Sequence, residues 1–175
     1  MLIYMDKLRE VINSFNNSIT ILNKSCYDKQ GLLLFFTFID QLGWLISSTE
    51  YSDGSDFRNW LETYCDLTQL RCTSTDIWNT RCSFLHMGTA EHKHFNSEKH
   101  FRLAFYQNIE FSEKELISEE KNYPNPTKLI DISVLYSCLN DGIEEFLQDI
   151  ERDPILKSSV LSKCEKMNNL YSISK

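Results

Sequence analysis

The sequence predicts an all-α fold with one short β element near residues 100–107. Apolar residues recur at three- and four-residue intervals through most of the 175-residue chain, and only 5 Gly and 3 Pro interrupt them. A hydrophobic fraction of 42%, with 13% aromatic residues, supplies a core and excludes a disordered chain. A chain of this length builds one core more readily than two, so residues 1–175 are expected to form a single domain.

The first helix is expected over about residues 2–23, where Leu8, Val11, Ile12, Phe15, Ile19 and Leu22 share one side. A second, from Gly31 to Ser47, is apolar nearly all round, running from Leu32 to Ile39 with Thr37 as its one polar residue. A bilayer span needs about 20 mainly apolar residues, and Asp40 and Gln41 break this run, so a buried helix is expected and no membrane association. Tyr51 to Asp56 has turn and capping chemistry, and Phe57, Trp60, Leu61 and Tyr64 then mark a short helix ending near Asp66.

Leu67 to Thr73 reads as a connection and residues 75–87 as the next helix, followed by a polar segment from Thr89 to Lys99. Phe101, Leu103 and Phe105 then alternate with Arg102, Ala104 and Tyr106 at the period of a strand. Glu110 to Lys121 holds five glutamates against two lysines and is closed by Tyr123-Pro124-Asn125-Pro126, which together read as an exposed linker. Thr127 is expected to cap a long helix to about Glu151, with Leu129, Ile132, Leu135, Leu139, Ile143, Phe146 and Ile150 on its buried side. Asp153-Pro154 starts the last helix, since aspartate accepts from unpaired amides and proline suits the first helical position.

The six cysteines have no regular spacing, and the N-terminus lacks a secretion signal, so reduced thiols and a cytoplasmic location are expected. A formal charge of -7 argues against general binding to a polyanion, which draws on basic groups that displace counterions. The charge is unevenly spread. From Arg71 to Arg102, five basic residues (Arg71, Arg81, Lys93, Lys99 and Arg102) face three acidic ones (Asp76, Glu91 and Glu98), and all four histidines fall there as well.

Within that window Asp76-Ile77-Trp78-Asn79-Thr80-Arg81-Cys82-Ser83-Phe84-Leu85-His86-Met87-Gly88 sets an arginine five residues before a histidine. Ser74 or Thr75 with Asp76 offers a start, Ile77, Trp78, Arg81, Phe84 and Leu85 a stripe, and Gly88 a stop, so both fall on one short helix. Arginine carries a permanent charge with forked donors that fit a phosphate. Histidine takes or gives a proton near neutral pH. Five residues on a helix diverge by about 140°, so one helix cannot close both groups around one phosphate, whereas two copies of it can.

This pattern resembles the HEPN family, small helical bundles in which an arginine, four to six residues and a histidine near a helix end line a cleft between two subunits. The resemblance rests on Arg81 and His86, with four residues between, and on the all-helical outline. Many active members carry a polar residue directly after the arginine, where this chain has Cys82. What it implies is a homodimeric, metal-independent endoribonuclease of toxin or antiphage systems, with no cofactor, or an inactive relative that engages a protein such as an antitoxin or regulator. In the active form the RNA's own 2'-hydroxyl attacks, His86 moves the proton, Arg81 holds the phosphoryl oxygens, and the products are a cyclic phosphate and a 5'-hydroxyl. Asn79 and Ser83 on the same helix, and Lys93, Lys99 and Arg102 beyond it, are the expected substrate-binding residues.

Two other chemistries compete. His92 and His94 with His100 offer three nitrogen donors, but no thiol or carboxylate stands at a recognisable ligand spacing, so no metal is expected. Cys82 lies four residues before His86, yet no third residue is placed to orient that pair as a nucleophile and base.

Overall fold

A computed structural model describes residues 2–87 and 100–167. It is mostly helical with one small sheet: α1 (Leu2–Lys24), α2 (Asp28–Ile46), α3 (Gly54–Tyr64), α4 (Ser74–Met87), β1 (Arg102–Tyr106), α5 (Glu113–Glu120), β2 (Thr127–Asp131), α6 (Ile132–Arg152) and α7 (Pro154–Met167). The predicted all-α class and the short β element both hold. No helix among the described residues is long and apolar enough to cross a membrane. The chain forms two compact units, one of residues up to Phe57 and from Phe146 onward, the other of Arg58–Glu145.

In the first unit α1, α2 and α7 pack against one another. Leu8, Ile12 and Ile19 come from α1, Leu32, Phe35, Phe36, Phe38, Ile39, Leu42 and Leu45 from α2, and Val160 and Cys164 from α7, all buried. The rings of Phe15 and Phe38 stack with centroids 4.3 Å apart. Helix α1 ends on Cys26, which takes the left-handed conformation at φ 61° and lets the Tyr27 amide reach back to the Leu22 carbonyl at 2.9 Å. At the other end of α2, the Lys163 ammonium donates to the carbonyls of Trp44 (2.7 Å) and Ser47 (2.5 Å), a cation at the negative end of the helix.

Gly43 is where α2 meets the start of α3. A Cβ there would lie 2.9 Å from the carbonyl carbon and oxygen of Asp56 and 3.0 Å from the Phe57 nitrogen, all backbone atoms that cannot swing aside. Alanine ordinarily gains about 1 kcal/mol over glycine inside a helix. Here the overlap reverses the sign. Gly43→Ala is expected to destabilise by about 1–3 kcal/mol, as overpacking does, read as a lower urea midpoint at unchanged slope.

The second unit holds the sheet. β1 and β2 run parallel, Arg102 opposite Thr127 through Tyr106 opposite Asp131. Their crossover contains α5, so the stretch read as an exposed linker is helical. Ser112 begins α5 with a reciprocal box: its hydroxyl accepts from the Glu115 amide, while Glu115 accepts from the Ser112 amide at 2.7 Å and hydroxyl at 2.6 Å. Those bonds, the hydroxyl's first, hold the Glu115 carboxyl below its usual range.

A second correction concerns Thr127, which begins β2 and caps no helix. Pro126 holds its predecessor extended, and the Leu129 amide is met at 3.1 Å by the Glu120 carboxylate from the end of α5. Asp131 is the true cap of α6, accepting from the Ser133 amide at 2.7 Å. Glu120 is itself nearly buried, with Arg71 at 2.9 Å and Lys128 at 3.4 Å. The predicted start at Asp153 holds, its carboxylate accepting from the amides of Ile155 and Leu156 at 2.8 and 3.1 Å.

Candidate functional site

Helix α4 carries both motif residues, and its start is held unusually firmly. Thr73 is the cap, its hydroxyl accepting from the Asp76 amide at 3.2 Å, while one Asp76 oxygen accepts from the Thr73 amide at 2.9 Å and hydroxyl at 2.7 Å. This is a capping box with aspartate in the usual place of glutamate. The cap therefore lies one residue before Ser74 and two before Thr75. The other Asp76 oxygen accepts from the Phe101 amide at 2.8 Å, with His100 Nδ1 3.9 Å away. Through a fully buried carboxylate, α4 is thus tied to the residues that lead into β1.

The two faces of α4 reverse the usual amphipathic order. Asp76, Asn79, Thr80 and Ser83 are buried, and the Ser83 hydroxyl donates to the Asn79 carbonyl at 2.9 Å. The inward face is completed by Ile77 and by Phe84, which meets Phe105 of β1 edge-on at 5.9 Å. On the opposite side Trp78, Cys82 and Leu85 follow one another at helical spacing, the last 39% exposed. The predicted stripe of Ile77, Trp78, Arg81, Phe84 and Leu85 is therefore split between two faces.

Arg81 and His86 flank that outward row. From helix geometry they lie about 60° to one side and about 80° to the other of Trp78, so the row runs between them. Arg81 is half-buried, its guanidinium carbon 4.8 Å from the Trp78 ring centre and Nη1 4.0 Å from Cys82 Sγ. The indole face beneath a guanidinium restricts it and favours its charge while leaving its edge donors in plane. His86 is exposed in the last turn.

The expected substrate-binding residues fare differently. Asn79 and Ser83 are buried, and the Ser83 hydroxyl is taken up by the Asn79 carbonyl. Arg102 opens β1, with its amide bonded to the Pro126 carbonyl at 2.9 Å and its side chain half-buried. Lys93 and Lys99, with His92 and His94, lie outside the described residues. Among the described residues no cluster of three or more His, Cys, Asp or Glu side chains is placed to hold a metal ion.

Two contributors carried other roles in the sequence reading. Trp78, three residues before Arg81, was placed on a core stripe, although that spacing already puts the two side chains together. Asp76 was read as a start signal alone, because its bond to Phe101 joins residues far apart in the chain. Compared with known proteins, the chain matches no protein-family model, no curated protein and no solved structure.

Proposed function

We propose that the chain is a HEPN-like, metal-independent endoribonuclease that works as a cytoplasmic homodimer, in toxin or antiphage defence. What supports this reading is the outward face of α4: a row of Trp78, Cys82 and Leu85 with a guanidinium along one edge and an imidazole along the other. A second copy of α4 laid parallel on that row, related by a twofold axis along the helices, brings the Arg81 edge of one copy beside the His86 edge of the other. Each of the two resulting sites then holds one cation and one proton carrier. His86 takes the proton from the 2'-hydroxyl as its oxygen attacks phosphorus, Arg81 binds the phosphoryl oxygens as their charge rises, and the 5'-oxygen leaves with a proton. Pairing also doubles the local positive charge that an acidic chain otherwise lacks.

A second reading is favoured by the charge of -7 and by Cys82 in the position after the arginine. In it the same face is a non-catalytic HEPN-like module that engages a protein partner, an antitoxin or regulator.

Single-stranded RNA incubated with the purified protein in EDTA separates the two. The nuclease reading expects fragments ending in a 2',3'-cyclic phosphate and a 5'-hydroxyl, from protein that sediments as a dimer. Uncut RNA that also fails to bind at low salt, where electrostatic contacts are strongest, overturns that reading in favour of the second. A protein that stays monomeric at assay concentration removes the composite site.

A further inference from the structure

Cys65 and Cys138 are far apart in sequence, yet the second unit brings their thiols together. Cys65 directly follows α3, and Cys138 stands in the second turn of α6. The Cys138 thiol lies 3.4 Å from the carbonyl oxygen of Asp66, the residue after Cys65. One turn further along α6, a Cβ on Gly142 would lie 2.7 Å from Cys65 Sγ and 2.9 Å from the Tyr64 carbonyl oxygen. Only a residue without a side chain lets the Cys65 sulfur settle against α6 there. The Cys65 thiol hydrogen-bonds that of Cys138, and none of the six cysteines is in a disulfide.

We propose that Cys65 and Cys138 form a reversible dithiol–disulfide site that a small hydroperoxide oxidises. Cys65 borders a cleft of about 420 Å³ together with Glu62, Asp66, Arg71 and Cys72, and Cys138 is itself only part-buried, which leaves it open to a small oxidant. The hydrogen bond from Cys65 holds the Cys138 thiol below its usual range, outweighing its burial and the charges of Asp66 and Asp141. Cys65 is pushed up, first as the donor of that bond and then by burial, so it keeps its proton. Cys138 is accordingly the attacking sulfur.

The Cys138 thiolate attacks the O–O bond of the peroxide, whose far oxygen leaves as hydroxide or alkoxide and takes up a proton, and Cys138 becomes a sulfenic acid. The Cys65 sulfur then displaces that hydroxyl as water, its thiol proton leaving with it, and the S–S bond forms. Two thiols lose two electrons and the peroxide gains them. Cys72 lines the same cleft, but burial pushes its thiol up to about 12, so it is slow to react. This site is independent of the nuclease reading.

The test uses the full chain exposed to stoichiometric hydrogen peroxide, then alkylated while unfolded and digested without reductant for mass spectrometry. The expected product is a Cys65–Cys138 linked peptide pair and an intact mass lowered by two hydrogens, both reversed by dithiothreitol. Before oxidation, Cys138 should alkylate about ten-fold faster than Cys72 at neutral pH. In a folded Cys65→Ser chain, Cys138 should stop at a sulfenic acid that dimedone traps. Both thiols still alkylated after peroxide, a Cys65–Cys72 pair as the main link, or Cys65 oxidised at an unchanged rate in a folded Cys138→Ser chain each overturns the proposal.

Discussion

Replacing His86 by alanine is expected to lower RNA nicking by about 10²–10⁴-fold, the range contributed by a positioned proton-transfer group, with stability within about 0.5 kcal/mol of the parent. The separation of the two effects follows from where the imidazole sits. His86 is exposed in the last turn of α4. Its removal therefore deletes chemistry and little packing. Arg81→Ala is less clean, because the guanidinium lies over Trp78 and its loss also uncovers the indole. Mixing the two variants supplies the decisive comparison. If Arg81 of one subunit serves His86 of the other, an Arg81→Ala/His86→Ala heterodimer rebuilds one intact site and recovers part of the activity, which neither homodimer has. Full activity in His86→Ala, measured as rate of nicking in EDTA, ends the nuclease reading.

The same helix shows where reading a sequence succeeds and where it stops. That Arg81 and His86 share one short helix was legible, since capping chemistry, periodicity and Gly88 bracket it, and the angle between them follows from 3.6 residues per turn alone. Which face turns inward was not. Asp76 was read as a helix start and Asn79 and Ser83 as substrate contacts, since small polar residues are mostly exposed; Asp76 and Ser83 tolerate burial because their groups are satisfied, Ser83 by the Asn79 carbonyl and Asp76 by Thr73 and Phe101. Burial of that kind depends on partners that periodicity does not report.

The crossover between the strands failed for a related reason. Five glutamates in a row of twelve residues read as a solvated linker, although Ser112 and Glu115 already had the spacing of a capping box. One of those glutamates, Glu120, is buried because Arg71 and Lys128 reach it from other elements. Glu120 in turn occupies the Leu129 amide, which helps keep Thr127 to Asp131 a strand when its apolar spacing suited the helix that follows. Parallel pairing with β1 completes that choice, and it joins segments that no local window contains. The pairing of Cys65 with Cys138 was invisible on the same ground: neither residue has a neighbour in sequence that marks it.

Asp76→Ala is expected to destabilise the protein by roughly 2–4 kcal/mol, combining about 1 kcal/mol for a lost cap with about 1–3 kcal/mol for buried donors left unpaired. Both oxygens of this fully buried carboxylate accept, one from the Thr73 amide and hydroxyl, the other from the Phe101 amide. Asp76→Asn discriminates the mechanism from a loss of volume. An amide keeps one acceptor and turns an NH2 group toward a second donor, so the asparagine variant is expected to lose nearly as much as the alanine variant. An asparagine variant as stable as the parent in urea unfolding would show that only one side of the carboxylate matters. The consequence reaches the proposed chemistry through the helix start. With the cap gone the first turn of α4 frays, Trp78 loses the backbone that holds it under Arg81, and nicking should fall in Asp76→Ala by more than the unfolded fraction accounts for. Activity that merely tracks the folded population would instead mean that the motif's second half, from Arg81 to His86, is held in place by Phe84 on β1 alone.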